Sequence, residues 1–176
     1  MIRRPPRSTL DRSSAASDVY KRQGKKITNA SHWGHINFTK ADITFDGDVI
    51  STGNFIVDMT SISVDDISGG GKNRLENHLK DDDFFSVDKF NNAELEILEK
   101  SQMIDNKYLV EANLTIKGIT NPITFEMTLM DSGSYKALLV FDRSKYDVQY
   151  RSGSFFENLG DRLILDDVEL EVTLIK

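Results

Sequence analysis

The side chains best suited to chemistry in this sequence are its three histidines, His32, His35 and His78. His32 and His35 stand three positions apart, a spacing that would let both bind one metal ion from a single helix face. On a β-strand the same spacing puts the two imidazoles on opposite faces. Because the sequence has no cysteine and no obvious third ligand, we expect no metal site and a structural hydrogen bond for His35.

Two acidic stretches are candidates for binding a cation. Asp46-Gly47-Asp48 is too short for an EF-hand loop and lacks its closing glutamate, whereas Asp-Gly between strand-like runs is typical of a hairpin turn. The run Asp81-Asp82-Asp83 is interpreted as solvated residues near a helix end. Since the sequence also has no phosphate-binding glycine loop, nucleophile elbow or His-Glu-x-x-His run, we expect a protein that is not an enzyme.

The charge of the chain is unevenly distributed. Residues 1–23 carry six basic and two acidic side chains, so the formal charge of −6 becomes −10 over residues 24–176. An acidic body without a stripe of lysine and arginine argues against a nucleic-acid partner. No run approaches the roughly 18 apolar residues that a membrane-spanning helix needs, so we expect no membrane span.

Residues 1–23 differ from the rest of the sequence. They combine basic residues, a Pro-Pro pair and a Ser/Ala stretch, with no strand alternation and no apolar block of the kind that a secretory signal needs. The string resembles translated adapter sequence. We therefore predict a non-native or disordered leader over residues 1–23, which replaces the true start and any export signal, and one domain over residues 24–176.

The domain is predicted to be all-β. Short runs with alternating apolar and polar residues are separated by turn residues, which is the pattern of a sandwich or a barrel. About eight strands are expected, and closing them into an antiparallel barrel would remove exposed edges. The predicted strands are Ile27 with its neighbours, 35–38, the hairpin 43–50, 53–59, 93–97, 108–117, 123–129, 137–141 and 168–174.

One or two short helices are expected to cap an end of the barrel. Leu75 and Leu79 lie four positions apart after a Gly69-Gly70-Gly71 break, as on a helix with one apolar face. A second helical turn is predicted at 154–159. Arg143 at a strand end would reach into the barrel mouth or, as we favour, pair with carboxylates. An enzyme acting on lipid, using His35 or His78 with Asp142, is a remaining alternative.

The inward faces of the predicted strands are rich in phenylalanine, methionine and branched aliphatic residues. A barrel of about eight strands encloses either a packed core or one small ligand. Methionine and phenylalanine suit a flexible apolar ligand, but the same side chains would also fill a solid core. The candidate ligand-binding residues are Phe38, Phe55, Val57, Met59, Leu114, Ile116, Phe125, Met127, Leu139, Phe141, Leu170 and Val172.

Five stretches in order resemble the YceI-like family of lipocalin-like, polyisoprenoid-binding proteins, over about residues 24–176. An aromatic residue that the family has just before Gly24 is replaced here by the leader. The stretches are residues 24–26 with His35, residues 53–62 with Phe55-Ile56-Val57-Asp58, residues 75–85 ending in Asp83-Phe84-Phe85, residues 113–120 with Leu114-Thr115-Ile116-Lys117-Gly118, and residues 141–146 with Asp142-Arg143.

The resemblance implies an eight-stranded antiparallel lipocalin-like barrel that binds, stores or transports a long-chain isoprenoid lipid or quinone. It also implies a periplasmic or secreted protein, with no cofactor other than a bound polyisoprenoid or isoprenoid quinone. The alternative is a filled barrel that acts as a protein-interaction module through the loops around residues 61–90. The sequence leaves open whether the protein is a homodimer.

Overall fold

The computed structural model describes residues 31–175 in full and the backbone of Val19–Gly24. Strands dominate this part of the chain, with one α-helix and two 3-10 turns between them. The elements are β1 (Val19–Gly24), β2 (Ser31–Asp46), β3 (Val49–Val64), α1 (Gly69–Lys80), β4 (Asn92–Ile97), β5 (Ser101–Gln102), β6 (Lys107–Ile116), β7 (Ile119–Leu129), β8 (Tyr135–Asp142), 3-10 turns at Arg143–Tyr146 and Gly160–Arg162, and β9 (Asp167–Leu174).

Eight of these strands form a closed antiparallel ring, in the order β1, β2, β3, β4, β6, β7, β8 and β9. The ring closes because β1 pairs with both β2 and β9, and β2 also pairs with β3. The short β5 adds to the start of β3. The predicted eight-stranded barrel is confirmed, as are the predicted strands from residue 35 onward. The strand predicted around Ile27 lies outside the described residues.

The first strand of the ring, β1, begins before Gly24, where the predicted domain starts. Its backbone pairs with residues 31–36 of β2 on one side and with residues 168–171 of β9 on the other. These pairings are made by backbone groups that every residue except proline carries, so they do not test whether the segment is native. The assignment of residues 1–23 to a leader therefore stays a prediction.

The β2–β3 hairpin is the longest unit of the barrel, with 16 residues in each strand. It turns at Gly47, whose φ of 64° is readily adopted by glycine, as predicted from Asp46-Gly47-Asp48. Pairing shifts in register between His35 and Asn37 and again between Phe38 and Lys40. Such bulges bend a strand and increase its twist, which helps a long hairpin wrap around a barrel.

Helix α1 follows β3 and packs against its end. The predicted helix is confirmed, with Leu79 buried and Leu75 partly buried, but it begins at Gly69, so the glycines belong to it instead of forming a break. Two side chains of α1 hold it to β3: Glu76 accepts a hydrogen bond from Val64 N, and Lys72 donates one to Ser63. These contacts offset the poor helix propensity of glycine.

The helical turn predicted at residues 154–159 is wrong. This stretch forms irregular turns, and the nearby 3-10 turn lies at Gly160–Arg162. Asp166 accepts hydrogen bonds from the hydroxyls of Ser152 and Ser154, both at 2.8 Å, and the Ser154 N–H bonds to Ser152 Oγ. Such bonds from serine side chains compete with the helical hydrogen-bond pattern.

One end of the barrel is closed by aromatic side chains. Phe45 near the end of β2 stacks on Tyr135 at the start of β8, with ring centroids 5.0 Å apart, and Tyr108 of β6 lies 6.2 Å from each. Burial, with the nearby Asp48 charge contributing, raises the pKa of both tyrosines, so they remain neutral at physiological pH. These three rings seal the end where the β2–β3 hairpin turns.

Candidate binding cavity

The barrel contains a cavity of about 150 Å³. All twelve predicted ligand-binding residues, Phe38, Phe55, Val57, Met59, Leu114, Ile116, Phe125, Met127, Leu139, Phe141, Leu170 and Val172, line it. Their inward direction follows from the two-residue period of the strands. Their contact with a ligand stays a prediction.

Further lining residues were not among the predicted set. Ala93, Leu95 and Ile97 on β4 show the same alternation in the sequence, so that signal was present. Ile43, Ile62 and Val64 reach the cavity because bulges change which alternate positions face inward on β2 and β3. Leu75 and Leu79 of α1, with Phe85 from the segment after it, also line the cavity.

The polar and charged lining residues are few. His32, His35 and Ser63 stand at the paired ends of β2 and β3, next to α1, and Glu94 lies on β4. At Gly34, between the two histidines, an added Cβ would lie 1.9 Å from the Ser63 carbonyl oxygen. Only glycine permits this close approach. We refer to this end of the cavity, opposite the aromatic seal, as the mouth.

Two histidine–aspartate pairs join the start of β2 to the turn after β3 at the mouth. Nδ1 of His32 lies 2.8 Å from Asp66 Oδ2, and Nδ1 of His35 lies 2.7 Å from Asp65 Oδ2. The structural hydrogen bond predicted for His35 is confirmed. The sequence did not reveal its partner, because Asp65 is 30 positions away.

Glu76 links α1 to the mouth by a short polar network. It accepts a hydrogen bond from Val64 N at 2.8 Å, and Nζ of Lys72 lies 3.5 Å from the same carboxylate oxygen. Burial acts to raise the pKa of Glu76, but hydrogen bonds from Val64 and Ser63 and the charge of Lys72 outweigh it and lower the pKa. The charged form of Glu76 therefore stabilises the position of α1.

Replacing Glu76 by glutamine is expected to lower the free energy of unfolding by about 1 kcal/mol at pH 7, because the bonds to the carboxylate weaken. A carboxylate whose pKa is lower in the folded state than in the unfolded state stabilises the fold at pH values above its unfolded-state pKa. This stabilisation is lost as the pH falls through the folded-state pKa. The difference between E76Q and the unmodified chain should therefore vanish in acid. Urea unfolding at pH 7 and at pH 3 measures the difference in free energy of unfolding between E76Q and the unmodified chain. Glu169→Gln, on the outer face of β9, is the control. An equal difference at both pH values would contradict this account.

Arg143 is fully buried and lies at the end of β8, on the mouth side of the barrel. Its guanidinium donates to the carbonyl oxygens of Val148, Ile164 and Leu165 and forms an ion pair with Asp166 at 3.2 Å. It also lies 5.3 Å from the centre of the Phe84 ring. The predicted pairing with a carboxylate is confirmed. Arg143 joins the segment at Val148 to the segment at residues 164–166 and is not among the residues that line the cavity.

The residues of the enzymatic alternative do not converge in one cleft. His35 pairs with Asp65, whereas His78 lies 3.6 Å from Asp83. Asp142 accepts hydrogen bonds from both the backbone N–H and the hydroxyl of Ser144. Each of the three candidates therefore has a different polar neighbour.

A second group of polar side chains lies at the end of α1. Potential ligand atoms of His78, Asp81 and Asp83 come within 4.8 Å of one another. This grouping was not predicted, because the run of aspartates was interpreted without His78. Both carboxylates are exposed, in keeping with the predicted solvated run, and His78 packs edge-on against Tyr150, with ring centroids 4.3 Å apart.

Comparison with known proteins identifies the family. The family model described as the YceI-like domain matches residues 10–175. The chain belongs to the YceI-like family. A curated relative, a UPF0312 protein of Staphylococcus aureus strain bovine RF122, is 28% identical over 148 residues, which are 78% of this chain and 80% of the relative.

Solved structures similar to this YceI-like chain share its fold. BcnA of Burkholderia cenocepacia has a TM-score of 0.70 at 20% identity, covering 90% of this chain and 94% of that one. A polyisoprenoid-binding domain from Saccharophagus degradans, implicated in plant cell wall breakdown, has a TM-score of 0.59 at 14% identity, covering 92% and 94%. The YceI protein of Campylobacter jejuni has a TM-score of 0.59 at 16% identity, covering 98% and 96%.

The described residues of this YceI-like chain form one α-helix and two short 3-10 turns. Within the described residues, no helix is long and apolar enough to cross a membrane.

Proposed function

We propose that this YceI-like protein binds a long isoprenoid chain inside its barrel and stores or carries it, without catalysing a reaction. The observation that carries the proposal is the apolar lining of the cavity, contributed by α1 and by strands β2, β3, β4, β6, β7, β8 and β9. A similar structure, the domain from Saccharophagus degradans, is described as polyisoprenoid-binding. The proposal requires no cofactor and no catalytic residue.

Burial of hydrocarbon would supply the binding free energy. Each buried methylene contributes roughly 0.8 kcal/mol, so a prenyl chain needs no polar contact along its length. The closed aromatic end and the polar mouth orient such a chain, with its tail toward Phe45, Tyr108 and Tyr135. A carrier in the periplasm or outside the cell, as the family resemblance implies, would shield the chain from water.

The size of the cavity sets a condition on this proposal. About 150 Å³ is below the roughly 300–1,000 Å³ of most small-molecule pockets. A long chain would therefore have to move lining side chains or extend through the mouth. Met59 and Met127 line the cavity, and methionine adapts its shape readily because it is unbranched and has three rotatable bonds.

The small cavity volume also favours a second candidate, a filled barrel that serves as a protein-interaction module. Its partner surface would lie on the loops around residues 61–90. Under this alternative the lining residues stabilise the fold and the protein binds no lipid. The two candidates make opposite predictions for the protein as it is purified.

The full chain, expressed in bacteria and purified without detergent, is expected to contain one prenyl lipid or isoprenoid quinone per molecule. Native mass spectrometry measures the mass of the complex, and solvent extraction followed by lipid mass spectrometry identifies the ligand. If the protein carries no lipid, geranylgeraniol is added and its binding is measured by the same method. A protein that neither contains a prenyl lipid nor takes up geranylgeraniol would overturn the carrier proposal and support the filled barrel.

A further inference from the structure

Exposed aromatic side chains are concentrated at the end of the barrel that carries the mouth, which we call the mouth end. Strands β3, β6 and β8 end there, and strands β4, β7 and β9 begin there. Among the described residues, four phenylalanine or tryptophan side chains are between 36% and 48% exposed, and all four lie at this end: Trp33, Phe90, Phe155 and Phe156. The rings of the aromatic seal, at the other end, are buried or partly buried.

These four side chains come from separate parts of the ring of strands. Trp33 lies on β2 and lines the mouth. Phe90 precedes β4 and lies against the turn from β6 to β7, where a Cβ added to Gly118 would be 3.3 Å from the Phe90 ring. Phe155 and Phe156 lie in the loop from β8 to β9. Three sides of the mouth end therefore contribute exposed aromatic surface.

Phe155 and Phe156 are held at the surface by a hydrogen-bonded turn. Their backbone N–H groups both donate to the carbonyl oxygen of Ser152, at 3.3 and 3.1 Å. Ser152 is buried, and its hydroxyl and that of Ser154 donate to Asp166. The turn thus keeps two neighbouring rings in water, although burial of their apolar surface would be favourable. Contiguous exposed apolar surface is typical of an interaction site.

The charges beside the two rings indicate which kind of surface fits them. Residues 151–162 carry two basic and two acidic side chains, so this segment is formally neutral. An anionic lipid surface attracts clusters of lysine and arginine, and it would repel a chain whose formal charge is −6. A neutral segment with exposed aromatic rings is complementary to a zwitterionic lipid surface, because aromatic side chains favour the boundary between head groups and acyl chains.

We propose that the mouth end of the barrel docks on a zwitterionic lipid bilayer through Phe90, Phe155 and Phe156, with Trp33 beside the lipid. This inference rests on the proposed function, because a prenyl chain dissolves in the bilayer and a carrier collects or releases it there. Docking in this orientation lets the chain pass between the bilayer and the cavity without exposing its hydrocarbon to water. The docking itself is measured without any prenyl lipid.

Flotation with unilamellar vesicles of phosphatidylcholine tests the docking on the full chain. The unmodified protein is expected to float with the vesicles. Replacing both Phe155 and Phe156 by serine should reduce the partition coefficient at least about tenfold, because two phenyl rings no longer enter the lipid interface. The melting temperature of F155S/F156S should stay close to that of the unmodified chain, since both side chains are exposed. Undiminished flotation of this variant would overturn the proposal.

The matched control is Ile104→Ser combined with Leu109→Ser. Both side chains are exposed and lie at the opposite end of the barrel, beside β5. This variant also loses two large apolar side chains, but it should float as the unmodified protein does. A loss of flotation equal to that of F155S/F156S would show that apolar surface anywhere on the protein adheres to vesicles, which would overturn docking through the mouth end.

Trp33 reports the orientation directly, because it is the only tryptophan in the chain and lies at the mouth. Phosphatidylcholine vesicles that carry a nitroxide on the lipid head group should quench its fluorescence in the unmodified protein and in I104S/L109S. Unquenched tryptophan fluorescence in protein that floats with these vesicles would show that another face docks, and the proposal would fail.

The outcomes separate docking from lipid carriage. A protein that contains a prenyl lipid but does not float with phosphatidylcholine vesicles would overturn the docking inference and leave the carrier proposal intact, and a protein partner would then be sought for the exposed rings. Flotation of a protein that neither contains nor takes up a prenyl lipid would support docking while the carrier proposal fails. Flotation that requires added phosphatidylglycerol would overturn docking on a zwitterionic surface.

Discussion

Replacing Ala137 by phenylalanine is expected to reduce the affinity for a prenyl lipid at least tenfold and to leave purified protein without lipid. Ala137 is buried on β8, lines the cavity and lies between Met127 of β7 and Val172 of β9 in the sheet. A phenyl ring at this position would occupy the space that the chain needs. The measurement is the lipid content by native mass spectrometry, together with the dissociation constant for geranylgeraniol.

Leu138→Phe is the matched control for this substitution. Leu138 is the next residue of the same strand, faces outward and is 53% exposed, so an added ring there leaves the cavity unchanged. Overpacking at Ala137 costs about 1–3 kcal/mol of stability, and thermal unfolding of both variants tests whether the barrel persists. Lipid binding that is unchanged in a folded A137F protein would show that the chain does not lie in this cavity.

Replacing Arg143 by methionine is expected to lower the free energy of unfolding by about 3 kcal/mol. The change leaves Asp166 without its ion-pair partner and removes the donor from three loop carbonyl oxygens. Breaking a buried ion pair by removing one partner typically costs about 3–5 kcal/mol. For a chain of this size the melting temperature should fall by about 6–12 °C, measured by calorimetry.

The control for Arg143 is Arg151→Met in the neighbouring loop. Arg151 is partly exposed, and its guanidinium lies 5.0 Å from the centre of the Tyr150 ring. A cation–π contact of this kind is worth about 0.5–1 kcal/mol when exposed, so R151M should melt within a few degrees of the unmodified chain. Similar melting temperatures for R143M and R151M would show that Arg143 does not hold the loops together.

The strands and their apolar faces could be predicted from the sequence because the relevant signal is local. A strand places alternate side chains on opposite faces, so Leu114 and Ile116 on β6 or Phe125 and Met127 on β7 identify the inner surface without knowledge of their neighbours. The helix at Leu75 and Leu79 could be predicted for the same reason. The start of this helix at Gly69 could not be predicted, because contacts of Lys72 and Glu76 with the end of β3 stabilise the helix.

The candidate site was predicted in its apolar part and missed in its polar part. Ile62 and Val64 face the cavity only because a bulge changes the alternation on β3, and a bulge depends on how two strands pair. His32 pairs with Asp66, 34 positions away, and His35 pairs with Asp65, 30 positions away. Neither the spacing nor the type of these residues reveals those partners.

The sequence by itself determined that this chain has about eight strands, each with one apolar face, since period-two alternation is a property of each strand alone. The tertiary structure decided where the interior is closed, where it opens and which charged groups stand at the opening. Phe45, Tyr108 and Tyr135 seal one end, and the histidine–aspartate pairs stand at the other. These features depend on contacts between strands far apart in the chain, which only the closure of the ring brings together.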